Sequence, residues 1–388
     1  MKQYLFYTMA VTIMVSATFF SCKNDDVDAL TLDKTSAILA VKSTLTLNVK
    51  IDPANARNKQ IIWTSDNPSV ATVTNGEVSA ISDGIAVITA TTKNGICQDT
   101  CTILATSKTI YMVGAVNGEV ILWKNGVLQK MEEKYNTSYV NRGTSIFVSD
   151  NDDVYVTGDV NESAKLWKNG ILQNLEDGKR GRASSVFVSG SNVYVAGEIS
   201  VKGTTIATLW KNGLRQNLEK TDSYSYASSV FVSENDVYVV GGTHGFARLW
   251  KNGVIQYSGD TNHKYISVSV SGNDIYVVGY VSTFSDPKNW IATLWKNDVA
   301  QYLTDENSYS IAYSAFVSEN DVYVIGRANG IITLWKNGIK QKLENADVSH
   351  SPSVFVSDNN VYVGGFRKLW VNGRVFNLDE EFGYVFVK

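Results

Sequence analysis

Apolar and polar positions alternate along most of this chain, and over its last 280 or so residues the alternation falls into a repeating unit. In residues 228–257 the unit reads SSVFVS, a turn END, VYVVG, a loop, ARLWKN, Gly253 and VIQY. A period of two predicts half-buried strands. The unit therefore holds four strands, a to d, and Asn252-Gly253 is the signal of a type I′ hairpin joining c to d. LWKNG stands at 122–126, 166–170, 209–213, 249–253 and 334–338, with LWKND at 294–298 and LWVNG at 369–373. The seven tryptophans, Trp123, Trp167, Trp210, Trp250, Trp295, Trp335 and Trp370, are spaced by 44, 43, 40, 45, 40 and 35 residues. A period near 40 filled with strand patterns alone predicts a β-propeller of four strands per blade, here seven blades over 108–388.

Link lengths orient the blades. The a–b and c–d links are tight throughout, whereas b–c and d–a vary, and d–a is long in most units. A connection from the rim of one blade to the centre of the next needs length, so strand a is placed innermost and d outermost. The first unit opens at Thr109 on a strand b, IYMVG, with no strand a before it. GYVFVK at 383–388 aligns with SSVFVS. The C-terminal segment is therefore expected to supply strand a of blade 1 and close the ring, across a last d–a link of only four residues, 379–382. Seven tryptophans at one strand position read as packing between blades rather than as a sugar-stacking row. The lysine after six of them is expected to pair with acids of the a–b turns, such as Glu234 with Asp236 or Glu319 with Asp321, as surface ion pairs.

Residues 28–106 carry a different pattern. Leu45, Leu47, Val49 and Ile51 alternate with polar residues, and IIWTSDNPSVATV, GEVSAISDG and IAVITATT follow, separated by Asn-Pro, Asn-Gly and Asp-Gly turns. Short alternating strands of this kind predict a β-sandwich. Trp63, SDNPSVATV and the strand at 84–91 resemble the group 2 bacterial immunoglobulin-like family. That resemblance implies an immunoglobulin-like fold and a spacer role on a surface protein. The junction, 105–108, is short and predicts a semi-rigid connection.

Composition supports an all-β reading: 20 Tyr, abundant Val, Thr and Ser, and only four Pro among 388 residues. A net charge of −3 and a pI near 5.7 give no footprint for nucleic acid. Lys2 followed by an apolar run from Leu5 to Phe20 reads as a signal peptide over 1–21. Ser21-Cys22 at its end resembles the lipobox of bacterial lipoproteins, with Phe19 where Leu is usual. That implies lipidation of Cys22, an acidic tether over 22–27, and an outer-membrane protein facing the exterior. Membrane contact would be through the lipid alone. The WKNG unit also resembles uncharacterised repeat lipoproteins of Bacteroidetes-type bacteria, which implies location and fold but no activity. Cys97 and Cys101 on one strand would lie ~13 Å apart, too far to bond to each other. They read as one buried and one half-exposed thiol.

Function is expected on the face holding the variable loops. The residue three before the strand-a Ser forms a column, Arg142, Arg182, Tyr226, Lys264, Ile311, His350 and Glu381, that would ring the channel mouth and grip an anionic or hydroxyl-rich ligand. A second candidate patch joins Trp290 and Phe284 of the longest b–c loop to His263 and Tyr265. No catalytic residue, metal site or cofactor is expected. The histidines lie in different blades, and the SDNDD turn at 149–153 lacks the glycine and distal glutamate of a calcium loop. The expected function is a non-catalytic binding module for a glycan or a surface protein. A structural scaffold at the outer membrane and a propeller-type carbohydrate-active enzyme are the alternatives.

Overall fold

The computed structural model describes residues 27–388 apart from 57, 126, 132–140, 176–179, 221, 284–288, 307, 347–351 and 379–381. The chain divides into two compact units, one ending at Ser107 and one spanning Lys108–Lys388.

In the first unit Ser36–Ala40, Gln98–Thr106, Gly84–Thr92 and Ile61–Ser65 form a four-stranded sheet. Thr44–Thr46, Glu77–Ala80 and Ala71–Thr74 form a three-stranded one, and Ala29–Leu32 pairs with Val49–Asp52. Alternation does what it predicts: along Gly84–Thr92 every second residue from Ala86 is buried. Val78, Ala86, Ile88 and Ile103 make the centre of the core, with Trp63 half-buried against it. Two expectations need correction. Cys97 and Cys101 are both buried, because strand Gln98–Thr106 has neighbours on both sides and Cys97 is packed with Val27 and Leu30. Cys101 is free, whereas Cys97 is disulfide-bonded. Ala105 and Thr106 belong to that strand rather than to a linker. Ser107, just beyond it, donates from its backbone N–H and its hydroxyl to Asp83.

The second unit consists of seven four-stranded antiparallel sheets, an arrangement consistent with a β-propeller. Sheet 4 is representative: Ser225–Ser233 (a), Asp236–Thr243 (b), Phe246–Lys251 (c) and Val254–Ser258 (d), in that order. Sheets 2, 3, 5, 6 and 7 begin at Arg142, Gly181, His263, Ile311 and Ser353. Sheet 1 is Ile110–Val116, Glu119–Lys124 and Val127–Lys130, and its strand a is Phe382–Val387, paired so that Ile110 faces Val387 and Met112 faces Val385. Phe382 lies within this strand and packs its ring 6.3 Å from that of Trp123, so the last d–a link stops one residue earlier than expected.

Each part of LWKNG has a separate task. The tryptophan packs on the preceding sheet: Trp250 on Tyr194 and Leu209, Trp335 on Tyr276 and Leu294, Trp370 on Tyr323 and Leu334. An indole so buried removes about 150–250 Å² from water, worth roughly 4–6 kcal/mol as an upper bound. The asparagine takes φ near +50° with the glycine following at φ near +80°, the type I′ geometry. Its Oδ1 accepts the backbone N–H of the first or second residue of strand b at 2.8–2.9 Å in all seven sheets. The lysine lies over the tyrosine of strand b at 5.3–5.6 Å from the ring centre in sheets 1 to 6. In sheets 2, 4, 5 and 6 it also reaches an aspartate at 2.7–2.8 Å: Asp153, Asp236, Asp274 and Asp321. Glu234 and Glu319 do not join these pairs; they occupy positive-φ turn positions.

Successive inner strands are tied by a device the sequence reading passed over, the second serine of SSVFVS. The Oγ of Ser145, Ser185, Ser229, Ser314 and Ser353 accepts the backbone N–H of Val186, Val230, Val268, Val354 and Val385, each on strand a of the next sheet, at 2.8–3.5 Å. The last of these runs from sheet 7 to sheet 1. Phenylalanines of the same strands meet with tilted rings, Phe231–Phe187–Phe147–Phe386–Phe355–Phe316, with centroids 4.5–5.3 Å apart. Phe386 touches the second sheet and the seventh. Sheet 5 has buried Ser269 at this position.

Candidate functional site

One feature of the repeat creates the site. In sheets 2 to 6 strand a carries an extra residue, Thr144, Ser184, Ser228, Ile266 or Tyr313, and its register with strand b shifts there. The carbonyl just ahead of the bulge is driven onto strand b. A Cβ at Gly197 would stand 1.9 Å from the Arg182 oxygen, at Gly241 2.0 Å from that of Tyr226, and at Gly279 1.8 Å from that of Lys264. Glycine in VYVxG is therefore a steric requirement of the bulge.

Beyond the bulge stand two columns. On strand a they are Arg142, Arg182, Tyr226, Lys264 and Ile311, the column read from the sequence. On strand b the facing residues are Asp159, Glu198, Gly242, Tyr280 and Arg327. His350, Glu381 and Phe284 lie outside the described residues. The strand-b column was missed. Its signal is the residue after the repeated glycine, where Asp, Glu, Tyr and Arg replace the small apolar residue of sheet 1, Ala115.

The columns line two cavities. One, of about 450 Å³, is bordered by Arg142, Asp159, Glu162, Arg180, Arg182 and Glu198. The other, of about 550 Å³, is bordered by strand-a residues of sheets 1 to 6, among them Tyr384, Thr144, Ser184, Ser228, Lys264 and Tyr313, and it shares Arg182 and Glu198 with the first. Both volumes fall in the range of small-ligand sites.

Arg180 donates to Glu162, whereas the remaining charges here are close but hardly paired. Arg182 Nε lies 3.8 Å from Asp159 Oδ2, and Asp159 Oδ1 is buried with no hydrogen-bond partner among the described residues. Burial raises the Asp159 carboxyl, against the pull of Arg182 and Arg142. Burial also raises Glu198, opposed by Arg182 and Lys264, and Asp159 pushes it further up. Burial lowers Lys264, which sits 4.1 Å over the ring of Tyr226. The Tyr226 ring in turn fills the space that a side chain at Gly242 would take.

The second expected patch is not assembled. Tyr265 is buried, edge-on to the repeat tryptophan Trp295 at 4.9 Å, with its hydroxyl donating to Asp298. His263 packs on the same indole at 5.5 Å, and burial lowers its imidazole. The strand-a alternation carries both toward the packed layer. Trp290 opens strand c of sheet 5, and its ring is sandwiched between Tyr280 at 4.5 Å and Tyr309 at 4.7 Å, with Arg327 over Tyr309. Its backbone N–H donates to the Ser308 carbonyl, and its backbone carbonyl accepts from the Ser310 N–H. With both faces covered, it joins sheets 5 and 6 and offers no ring face to a ligand.

Residues 26–103 match the bacterial Ig-like domain (group 2) family. Two curated proteins are similar in sequence. One is an uncharacterized protein of Clostridium acetobutylicum, 34% identical over 107 residues, 26% of this chain and 11% of that protein. The other is an Ig-like virion protein of Serratia phage KSP90, 38% identical over 79 residues, 20% of this chain and 31% of that protein. The chain thus spans a third or less of these relatives. Among solved structures, a Lactobacillus plantarum protein covers 72% of this chain and 99% of its own at 10% identity, TM-score 0.45. A quinonprotein alcohol dehydrogenase-like protein of Bacteroides thetaiotaomicron covers 90% and 93% at 9% identity, TM-score 0.38.

Proposed function

We propose that this protein is a cell-surface lipoprotein whose second unit is a closed seven-bladed β-propeller that binds a ligand at its inner-strand cavities. The seven four-stranded sheets are the blades. The Phe382–Val387 strand, the Ser353–Val385 hydrogen bond and the contacts of Phe386 with Phe147 and Phe355 support closure between blades 7 and 1. The binding reading rests on one observation above all: Arg142, Arg182, Lys264, Asp159 and Glu198 stand around open volume with a single loose ion pair among them, beside the closed pair of Arg180 with Glu162. Isolated charge so placed costs desolvation unless something complements it.

Two experiments test the reading. Full-length protein is screened on a glycan array and against surface-protein extracts, beside a variant with Arg142→Ala and Arg182→Ala. Binding to either, lost in the variant at unchanged melting temperature, supports the module; binding that ignores both arginines sinks the cavity assignment. For the anchor, Cys22→Ala should release the protein from membranes, and retention after signal cleavage would overturn it. A lipidated Cys22 holds its sulfur as a thioether, so Cys22 is then closed to disulfide exchange. Thiol titration of the lipidated form should find Cys97 and Cys101 both reduced if Cys22 is the sole partner open to Cys97.

An enzymatic reading has one observation in its favour. Asp159 and Glu198 line one cavity, and both carboxyls are raised, as a general acid requires. Hydrolysis of a bound saccharide that Asp159→Asn or Glu198→Gln abolishes would establish it in place of simple binding.

A further inference from the structure

The ligand class can be read from the way these charges are held. Resting on the binding role just proposed, we infer that the two cavities form adjoining subsites for an acidic saccharide, a chain of sugar rings bearing both carboxylates and hydroxyls. Three features carry this.

Cations outnumber acids across the shared wall. Arg142, Arg182 and Lys264 face Asp159 and Glu198, and among the described residues neither Arg142, Lys264 nor Glu198 comes within ion-pair distance of an opposite charge. In the repeated lysine–aspartate pairs at the other end of the sheets the same chemistry collapses to 2.7–2.8 Å. The separation is imposed by the backbone. Each side chain is aimed by its own bulge or by the register opposite it, so the gap is built in. A carboxylate placed between Arg142 and Arg182 fits the planar donor fork of a guanidinium.

A ligand that was only anionic would leave the acids unsatisfied. Asp159 Oδ1 is buried without a donor. Asp159 and Glu198 are acceptors for hydroxyl groups, and hydroxyls beside a carboxylate are what an acidic sugar ring carries. A heavily sulfated polymer brings negative charge with few hydroxyl donors left, and these two carboxylates would repel it.

The volumes are paired. Two spaces of about 450 and 550 Å³ meet at Arg182 and Glu198. Adjacent rings of an oligomer would sit on either side of that wall. Tyr226, Tyr313 and Tyr384 border the second space.

The test is calorimetric titration of the full-length protein with three probes: oligogalacturonates of defined length, neutral galacto-oligosaccharides of equal length, and dextran sulfate. The expected result is binding of oligogalacturonate from the dimer upward, at least tenfold tighter than the neutral chain and tighter than dextran sulfate. Arg182→Ala should lose at least tenfold, with Arg182→Lys recovering part of it. Asp159→Asn should weaken the oligogalacturonate while improving dextran sulfate. Melting curves of each variant exclude misfolding. Equal binding of acidic and neutral chains overturns the acidic assignment and leaves the binding role standing. Tighter binding of dextran sulfate than of oligogalacturonate, indifferent to Asp159, reduces the site to a cationic patch. Binding of no saccharide, while a surface protein is captured through the arginines, overturns this inference alone; absence of all arginine-dependent ligands removes both.

Discussion

The two ends of the repeat sheets teach different lessons. At the turn end, lysine, tyrosine and asparagine recur with nearly the same distances from sheet to sheet, and in four sheets the lysine meets an aspartate. At the bulge end the backbone repeats while the side chains do not: Arg142, Arg182, Tyr226, Lys264 and Ile311 occupy one position. Repetition marks the groups that hold the sheets together. Departure from it, on a backbone that itself stays regular, marks the groups released for another task.

The contrast breaks most visibly where repetition is indispensable. Deleting 383–388 removes strand a of sheet 1 and exposes the edge of Ile110–Val116; the melting temperature should fall by about ten degrees or more, or the protein should aggregate. An unchanged calorimetric transition would show that the first sheet does not need this strand. Next, Trp250→Ala should cost about 3–5 kcal/mol in denaturant unfolding, the cost of emptying a buried aromatic site. Trp290→Ala, whose stack is half-exposed, should cost less; the reverse order would make the non-repeated tryptophan the stronger structural element.

Much of this was legible in the sequence. The period-two patterns, the Asn-Gly turns and the unpaired strand at Thr109 led to the four-stranded sheets and to Phe382–Val387, because local pattern and turn chemistry point the same way. The strand-a column was legible too, since bulges repeat in register. The partners on strand b were not, because an Asp after a glycine looks like any strand end until a bulge brings it opposite an arginine. Tyr265 misled for the related reason that loop-like polarity around it concealed an inward-facing strand position. The Ser145-type ladder was missed because serine on a strand signals nothing about the neighbouring sheet.

Smaller effects separate the two ends by pH. The folded-state pKa of Asp159 is raised, so its ionisation destabilises the native state above that pKa and the penalty disappears as pH falls toward the unfolded value. Asp159→Asn should therefore raise the melting temperature at neutral pH, with the gain vanishing in acid. Asp236 is shifted down by Lys251 and Asn252, so its contribution has the opposite sign and is lost as pH falls through its folded pKa. The smallest expected effect is Lys251→Met: an exposed pair in solvent should leave the melting curve nearly unmoved, and its salt dependence slightly weaker. A large loss there would mean that the turn-end pairs act as a coupled network.

The pairing of Ile110 with Val387 also fixes an order of events. Six of the seven sheets are made of consecutive hairpins and can form as the chain emerges from a ribosome. The first cannot, because its strand a is synthesised after all the others. Until then Ile110–Val116 presents an open edge, with Met112 and Val113 uncovered, to whatever shares the compartment. A chain of this design depends on a holding factor, or on speed, for the interval between its first sheet strand and its last.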